Sequence, residues 1–242
     1  MVGESKTAAD EWHAFLWSNV DGMQDLGTLG GGTSVANAIN EISEVAGSSA
    51  TGSTTHAFLY TDGVMEDVDV LDSVYSEAYD VNDSGVVVGM LLANGSNPQA
   101  LVYDGGSLLS LGEPSLVSSR AWAINNSGLI VGHAWDIGEY VSFLSVCDTA
   151  IDLGALDGFP KTSVWGVNEA GQIVGSASSA TSTLFNAFVY TGGRIHNLNE
   201  LLVDGAEWEY LSVAFAVNSS GQITGYGRIN GQFRGFLMTP AP

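Results

Sequence analysis

A phrase of about 43 residues recurs five times along this chain, with a partial copy at each end, and that period constrains the fold more than any other feature. An asparagine marks the register: Asn40, Asn82, Asn125, Asn168 and Asn218, at spacings of 42, 43, 43 and 50 residues. A glycine follows each at near-constant distance, as Gly47, Gly89, Gly132, Gly175 and Gly225. Repeats of roughly 40 to 50 residues holding several short strands each are the signature of radial β architectures. No segment sustains a 3.6-residue apolar period over three turns, which excludes a helical solenoid.

Each unit reads as four strands. In the third, Ala121-Trp122-Ala123-Ile124-Asn125 is separated from Leu129-Ile130-Val131-Gly132 by Asn126-Ser127-Gly128. The Asn-x-x-Gly spacing suits a short turn in which the asparagine accepts a backbone N–H and the glycine takes the left-handed conformation. Only the first copy departs from it, with Ser43 in the glycine position, and a different or strained turn is expected there. A third strand follows as His13-Ala14-Phe15-Leu16-Trp17, His56-Ala57-Phe58-Leu59-Tyr60, Gln99-Ala100-Leu101-Val102-Tyr103 or Asn186-Ala187-Phe188-Val189-Tyr190. Asp62-Gly63, Gly105-Gly106 and Gly192-Gly193 then signal two-residue turns into a fourth strand.

The first strands alternate in size. Asn37, Tyr79, Trp122, Trp165 and Phe215 stand three positions before the register asparagine, and Ala38, Asp80, Ala123, Gly166 and Ala216 two positions before it. Period-2 alternation puts the two sets on opposite faces. The bulky face of one unit is therefore expected to press on the small face of its neighbour. Asn37 and Asp80 break the pattern and mark a wetter seam between the first two complete units.

At these residues the chain resembles the HAF repeat, named for the His-Ala-Phe motif that stands here as His13-Ala14-Phe15 and His56-Ala57-Phe58. Asp25-Leu26-Gly27-Thr28-Leu29-Gly30-Gly31 is similar to that family's most repeated segment. The resemblance covers nearly the whole chain and implies a bacterial, secreted or surface-associated, propeller-like protein. It supplies no catalytic motif to transfer.

The expectation is thus one all-β domain over 1–242, a propeller of four-stranded antiparallel blades. Its units are 23–60, 65–103, 107–145, 149–190 and 194–238, with 1–17 a partial unit. Counting gives five first strands, six second, six third and five fourth. Five blades follow if the strand from Met23 to Gly27 closes the last blade beside Phe236, so that strands from both termini meet at the closure. Six blades are the alternative, with one lacking its inner strand. A monomer and a strand-swapped homodimer both fit the ragged ends.

Charge narrows the partners. With 27 acidic residues against 6 basic ones the net charge is −21, which repels nucleic acid and anionic membrane surfaces at long range. No apolar run approaches the ~20 residues of a membrane span, and no signal peptide opens the chain, so a soluble protein without membrane insertion is expected. The one cysteine, Cys147, forbids an internal disulfide and reads as a buried thiol.

Chemistry is sparse. There is no Gly-x-Ser-x-Gly, His-Glu-x-x-His, Cys-x-x-Cys, P-loop or Gly-x-Gly-x-x-Gly. His13 and His56 occupy a variable repeat position and read as partly exposed. Asp67, Asp69 and Asp72 form a weak Ca²⁺ candidate whose spacing matches no 12-residue calcium loop; a solvated acidic face is the simpler reading. Trp12, Trp135 and Trp208 fall outside the consensus and are candidate ligand-stacking residues, Trp208 within the long crossover from Leu201 to Leu211. Glu77 and Arg120 occupy one repeat position in adjacent units, a candidate binding pair or a local salt bridge. These features fit a non-enzymatic extracellular propeller that binds a carbohydrate or protein partner, or serves as a surface scaffold. The alternative is a polysaccharide-active hydrolase or lyase with a loop-assembled acidic site.

Overall fold

A computed structural model describes residues 1–69, 71, 73–108, 118–136, 139–146, 149–179, 185–203 and 207–240. They form twenty-two β-strands and one 3-10 turn, Leu198–Leu201. Cys147 and Asp72 lie outside the described residues. The first sheet has three strands, Val2–Lys6, Trp12–Ser18 and Gly22–Asp25, and so has the last, Trp208–Val217, Ile223–Ile229 and Gln232–Met238. Between them lie an eight-stranded sheet and two four-stranded ones. The eight-stranded sheet is two antiparallel repeats joined by a single parallel bridge from Thr55 to Tyr75.

The strand census of five, six, six and five is met, with inner strands Ser34–Ile39, Tyr75–Val81, Ser118–Ile124, Lys161–Val167 and Trp208–Val217. Each inner strand packs against the unit before it. The expected five-bladed closure is not formed. Gly22–Asp25 pairs with Trp12–Ser18, to which the short turn at Gly22 ties it, and among the described residues no pairing links the first sheet to the last.

Every inner strand carries a β-bulge at the same repeat position. Register shifts leave Asn37, Tyr79, Trp122, Trp165 and Phe215 as the unpaired extra residue. Opposite each shift sits the repeated glycine: Gly47 pairs with Ala36, Gly89 with Ala78, Gly132 with Ala121, Gly175 with Val164 and Gly225 with Ala214. A β-carbon on any of these glycines would overlap the carbonyl oxygen of Val35, Glu77, Arg120, Ser163 or Val213, respectively. The Val-x-Gly strand is therefore a steric requirement of the bulge beside it. The Phe of the third strand completes the arrangement, since Phe58, Phe143, Phe188 and Phe236 pair with Gly47, Gly132, Gly175 and Gly225 and are all buried.

The register asparagines do more than close their own turns. Asn125 accepts the N–H groups of Ser127 and Leu129 on its side-chain oxygen, and Asn82 and Asn168 do the same for their turns. Their amide groups reach forward. Asn40 donates to the carbonyl of Asn82 at 2.9 Å, Asn82 to Asn125 at 3.2 Å, Asn125 to Asn168 at 3.0 Å and Asn168 to Asn218 at 2.9 Å. This ladder couples each unit to the next at one end of the inner strands. Beside it, Glu41 N–H donates to Asp83, Asp83 N–H to Asn126 and Asn126 N–H to Glu169.

Candidate binding site

The five inner strands converge on a cavity of about 420 Å³ at the end where the asparagine ladder runs. Ile39, Val81, Ile124, Val167 and Val217 contribute its apolar wall from equivalent positions. The residue after each register asparagine forms its rim: Glu41, Asp83, Asn126, Glu169 and Ser219. The wall is nearly invariant from unit to unit and the rim is not, so the scaffold is repeated while the rim chemistry varies.

Deeper along the same face, the bulge residues form a column. Tyr79 stacks on Trp122 with ring centroids 4.4 Å apart, Trp122 meets Trp165 at 5.2 Å and Trp165 meets Phe215 at 6.3 Å. The size alternation does place the two sets on opposite faces, but the bulky residues pack on one another and not on small residues. The bulge turns each large side chain along the row, leaving the small positions for backbone approach: a β-carbon on Gly166 would lie 2.8 Å from the carbonyl oxygen of Phe215. Asn37 continues the column as a polar link, donating to the carbonyl of Ala78 at 2.8 Å and to Glu77 at 3.2 Å. Asp80 does not mark the first seam. It reaches the following unit, accepting the N–H of Ile124 at 2.9 Å.

One step beyond the column stand Glu77 and Arg120. Glu77 accepts the Tyr75 hydroxyl at 2.9 Å, and burial together with this carboxylate pushes the Tyr75 phenol well above its ordinary range. Burial, then Glu77, raises Tyr79 to about 12. Arg120 lies over the ring of Trp135, 5.4 Å from its centroid, and is paired across the strands with His133. His133 is buried, and burial first, then Arg120, lowers its pKa to about 4. Its ring accepts the indole N–H of Trp122 at 2.9 Å. The expected salt bridge between Glu77 and Arg120 is absent among the described residues.

Comparison with known structures gives the architecture. The chain aligns over 98% of its length with TolB from Acinetobacter baumannii at a TM-score of 0.63 and 10% identity, spanning 60% of that chain. It aligns over 93% of its length with a chain of a nidogen/laminin complex at a TM-score of 0.53 and 12% identity, spanning 84% of that chain. Both have propeller folds. The fold is that of the β-propellers. No protein-family model and no curated protein matches the chain.

In this propeller the sequence-predicted residues separate into one group and several singletons. Glu77, Arg120 and Trp135 share the axial face; both charged groups act on Tyr75 and Tyr79. Trp12 is exposed in the first sheet, with Lys6 over its ring at 5.6 Å. Trp208 is not a loop residue. It opens the last inner strand and packs edge-on to Phe236 at 6.1 Å, because the long crossover ends sooner than its composition suggests. The three tryptophans therefore do not form one stacking surface.

Asp67 and Asp69 are already engaged by neighbouring hydroxyl, imidazole and backbone N–H groups. Asp69 is buried and accepts from Ser73 and Ser76, while Asp67 accepts the N–H of Asp69 and pairs with His56 at 2.8 Å. Among the described residues no three His, Cys, Asp or Glu side chains converge on a cation. Of the two motif histidines, His13 is partly exposed as expected and pairs with Asp25 at 2.9 Å, whereas His56 is buried, 4% exposed. Thr54, His56 and Asp67 have the spacing of a hydroxyl-imidazole-carboxylate relay, but His56 Nε2 also faces the carbonyl of Ser73 at 3.1 Å. Both ring nitrogens donate, so the imidazole is no base for Thr54.

Sequence reasoning missed the rim, Tyr75, His133 and Trp165 as a group. The rim had a legible signal, since it is the one position beside an invariant asparagine that changes between repeats.

Proposed function

We propose that this protein is a non-enzymatic, extracellular binding propeller that recognises a carbohydrate or protein partner at its axial face. One observation carries the reading: equivalent positions of five repeats meet around one cavity with a constant apolar wall and a variable polar rim. Ligand sites are concave, with a few placed polar groups, and in repeat folds they lie where loops and strand ends converge. A glycan array and a surface-protein panel, probed with the wild type and with Glu41→Ala plus Glu169→Ala, test it. Retained binding that drops at least tenfold in the double variant, with an unchanged melting temperature, supports the axial site; binding indifferent to both substitutions rules it out.

The hydrolase or lyase alternative has one observation in its favour, the tyrosine beside a carboxylate at Tyr75 and Glu77. The same contact argues against it. Burial and Glu77 hold the phenol protonated far above neutral pH, the wrong state for a base.

A further inference from the structure

Arg120 is one of 6 basic residues in a chain of net charge −21, yet it has no ion-pair partner among the described residues. Its Nε is sealed from solvent and has no hydrogen-bond partner. The nearby carboxylate of Glu77 is already taken by the Tyr75 hydroxyl and the Asn37 amide. A second donor in the same cluster, the indole N–H of Trp165, is likewise buried without an acceptor. His133 lies between them, 5.9 Å from Trp135 and 6.2 Å from Trp165. Its ring serves as acceptor for Trp122 and leaves both orphan donors unanswered.

Buried donors are normally satisfied, and two orphans, one of them on an arginine that makes no ion pair among the described residues, define a place that lacks an anionic acceptor. The planar guanidinium fork matches a carboxylate or sulfate in two parallel hydrogen bonds, and its position over Trp135 holds that fork in one orientation. Trp135 and Trp165 are partly exposed rings of the kind that meet the C–H face of a sugar, and the exposed Asn37 and partly exposed Tyr75 are neutral groups of the kind that meet its hydroxyls.

We propose that Arg120, with Trp135 and Trp165, forms a site for the anionic oxygens of an acidic saccharide, a uronic-acid or sulfated sugar. This rests on the reading of the protein as a carbohydrate-binding propeller. The anion is assigned to a sugar and not to an acidic peptide because the groups around the guanidinium are aromatic rings and neutral polar side chains, Trp135, Trp165, Tyr75 and Asn37.

Calorimetric titration of the full chain with four probes of similar length tests it: an oligogalacturonate, a sulfated oligosaccharide, a neutral oligosaccharide and an oligoglutamate. The expected result is at least about tenfold tighter binding of one acidic sugar than of the neutral one, with tryptophan fluorescence changing on binding. Arg120→Gln should weaken the acidic sugar at least about tenfold more than the neutral one, and Arg120→Lys should recover only a fraction of that difference because the fork is lost. The fluorescence titration of the wild type keeps the test intact should a variant fail to fold. The uronate and sulfate arms separate the two sources of the anion. Equal binding of neutral and acidic sugars overturns the acidic site and leaves the carbohydrate reading standing. Oligoglutamate binding as tightly as the acidic sugar replaces the saccharide with a peptide, and no binding of any sugar removes both readings.

Discussion

Gly132 sits so close to the carbonyl oxygen of Arg120 that a β-carbon at position 132 would overlap it, and would also lie 2.6 Å from the ring of Phe143. Both neighbours are fixed: one is backbone at a bulge, the other a buried aromatic. Gly132→Ala should therefore cost more than about 3 kcal/mol, beyond the usual range for overpacking, because neither partner can yield without breaking the strand pairing. Gly95, whose φ is +76° and whose missing β-carbon would face open space, is the control. Gly95→Ala should cost only about 1–2 kcal/mol of backbone strain. Urea melts of both variants check the contrast, and a small effect at Gly132 would show that the bulge can relax.

Ser43 occupies a turn that asks for glycine. The turn forms as in the other units, with Ser43 N–H donating to Asn40 at 3.2 Å, but Ser43 is driven to a φ of 71°. Its equivalents Gly85, Gly128, Gly171 and Gly221 hold φ of 73° to 80° at no steric penalty. Ser43→Gly should raise stability by about 0.5–1 kcal/mol, the released strain being partly offset by the extra freedom of the unfolded chain. Thermal unfolding is sensitive enough to see this, and an unchanged or lower midpoint would mean that the serine makes a compensating contact.

Much of this architecture was legible in the residues, and the reason is local. An asparagine followed three positions later by glycine encodes one turn, and Gly105-Gly106 encodes another, with both residues at positive φ as such hairpins require. The strand census follows from those turns alone. What did not follow was anything that depends on how one unit meets another. The bulge at Trp122 is set by its pairing with the neighbouring strand, so the sequence showed a large residue and not the direction in which it turns. The pairing of His56 with Asp67, eleven positions away, joins the third strand to the end of the fourth. Arg120 and Trp135 were singled out separately, as departures from the consensus, and only the strand register brings them together.

His56 makes stability depend on pH in a direction opposite to most buried histidines. Burial acts to lower its pKa, but the hydrogen bond and charge of Asp67, the charge of Asp69 and the carbonyl of Ser73 together outweigh burial and raise it above 6.5. The folded protein thus holds this proton more tightly than the unfolded chain. Its contribution is fully present below pH 6.5 and is lost as pH rises through the folded value. The stability difference between wild type and His56→Gln should be about 1–3 kcal/mol at pH 6 and shrink at pH 8.5. A difference that grows with pH would mean that the imidazole is neutral in the folded protein.

Asp80 works with the opposite sign from an ordinary carboxylate. Ala38, Ala123 and Ala216 stand at its repeat position, and here a carboxyl group is placed between two inner strands. Burial raises its pKa from 3.8 to about 6, and the N–H groups of Ile124 and Val81 offset that only in part. Below pH 4 the acid is protonated in both folded and unfolded chains and carries no electrostatic penalty. Between pH 4 and 6 the unfolded chain ionises first, so folding must hold a proton that water would take, and stability falls as pH rises. Above pH 6 the full cost remains, on the order of 3 kcal/mol at 1.36 kcal/mol per pKa unit. Asp80→Ala loses two hydrogen bonds at every pH but escapes this term. Relative to wild type it should therefore gain on the order of 3 kcal/mol between pH 4 and pH 7.5, whatever its absolute stability. Denaturant melts across that range, carried out in parallel on the two proteins, measure the difference directly. A flat difference would place the carboxylate in contact with water, and the link from Asp80 to Ile124 would then be a surface hydrogen bond and not a buried one.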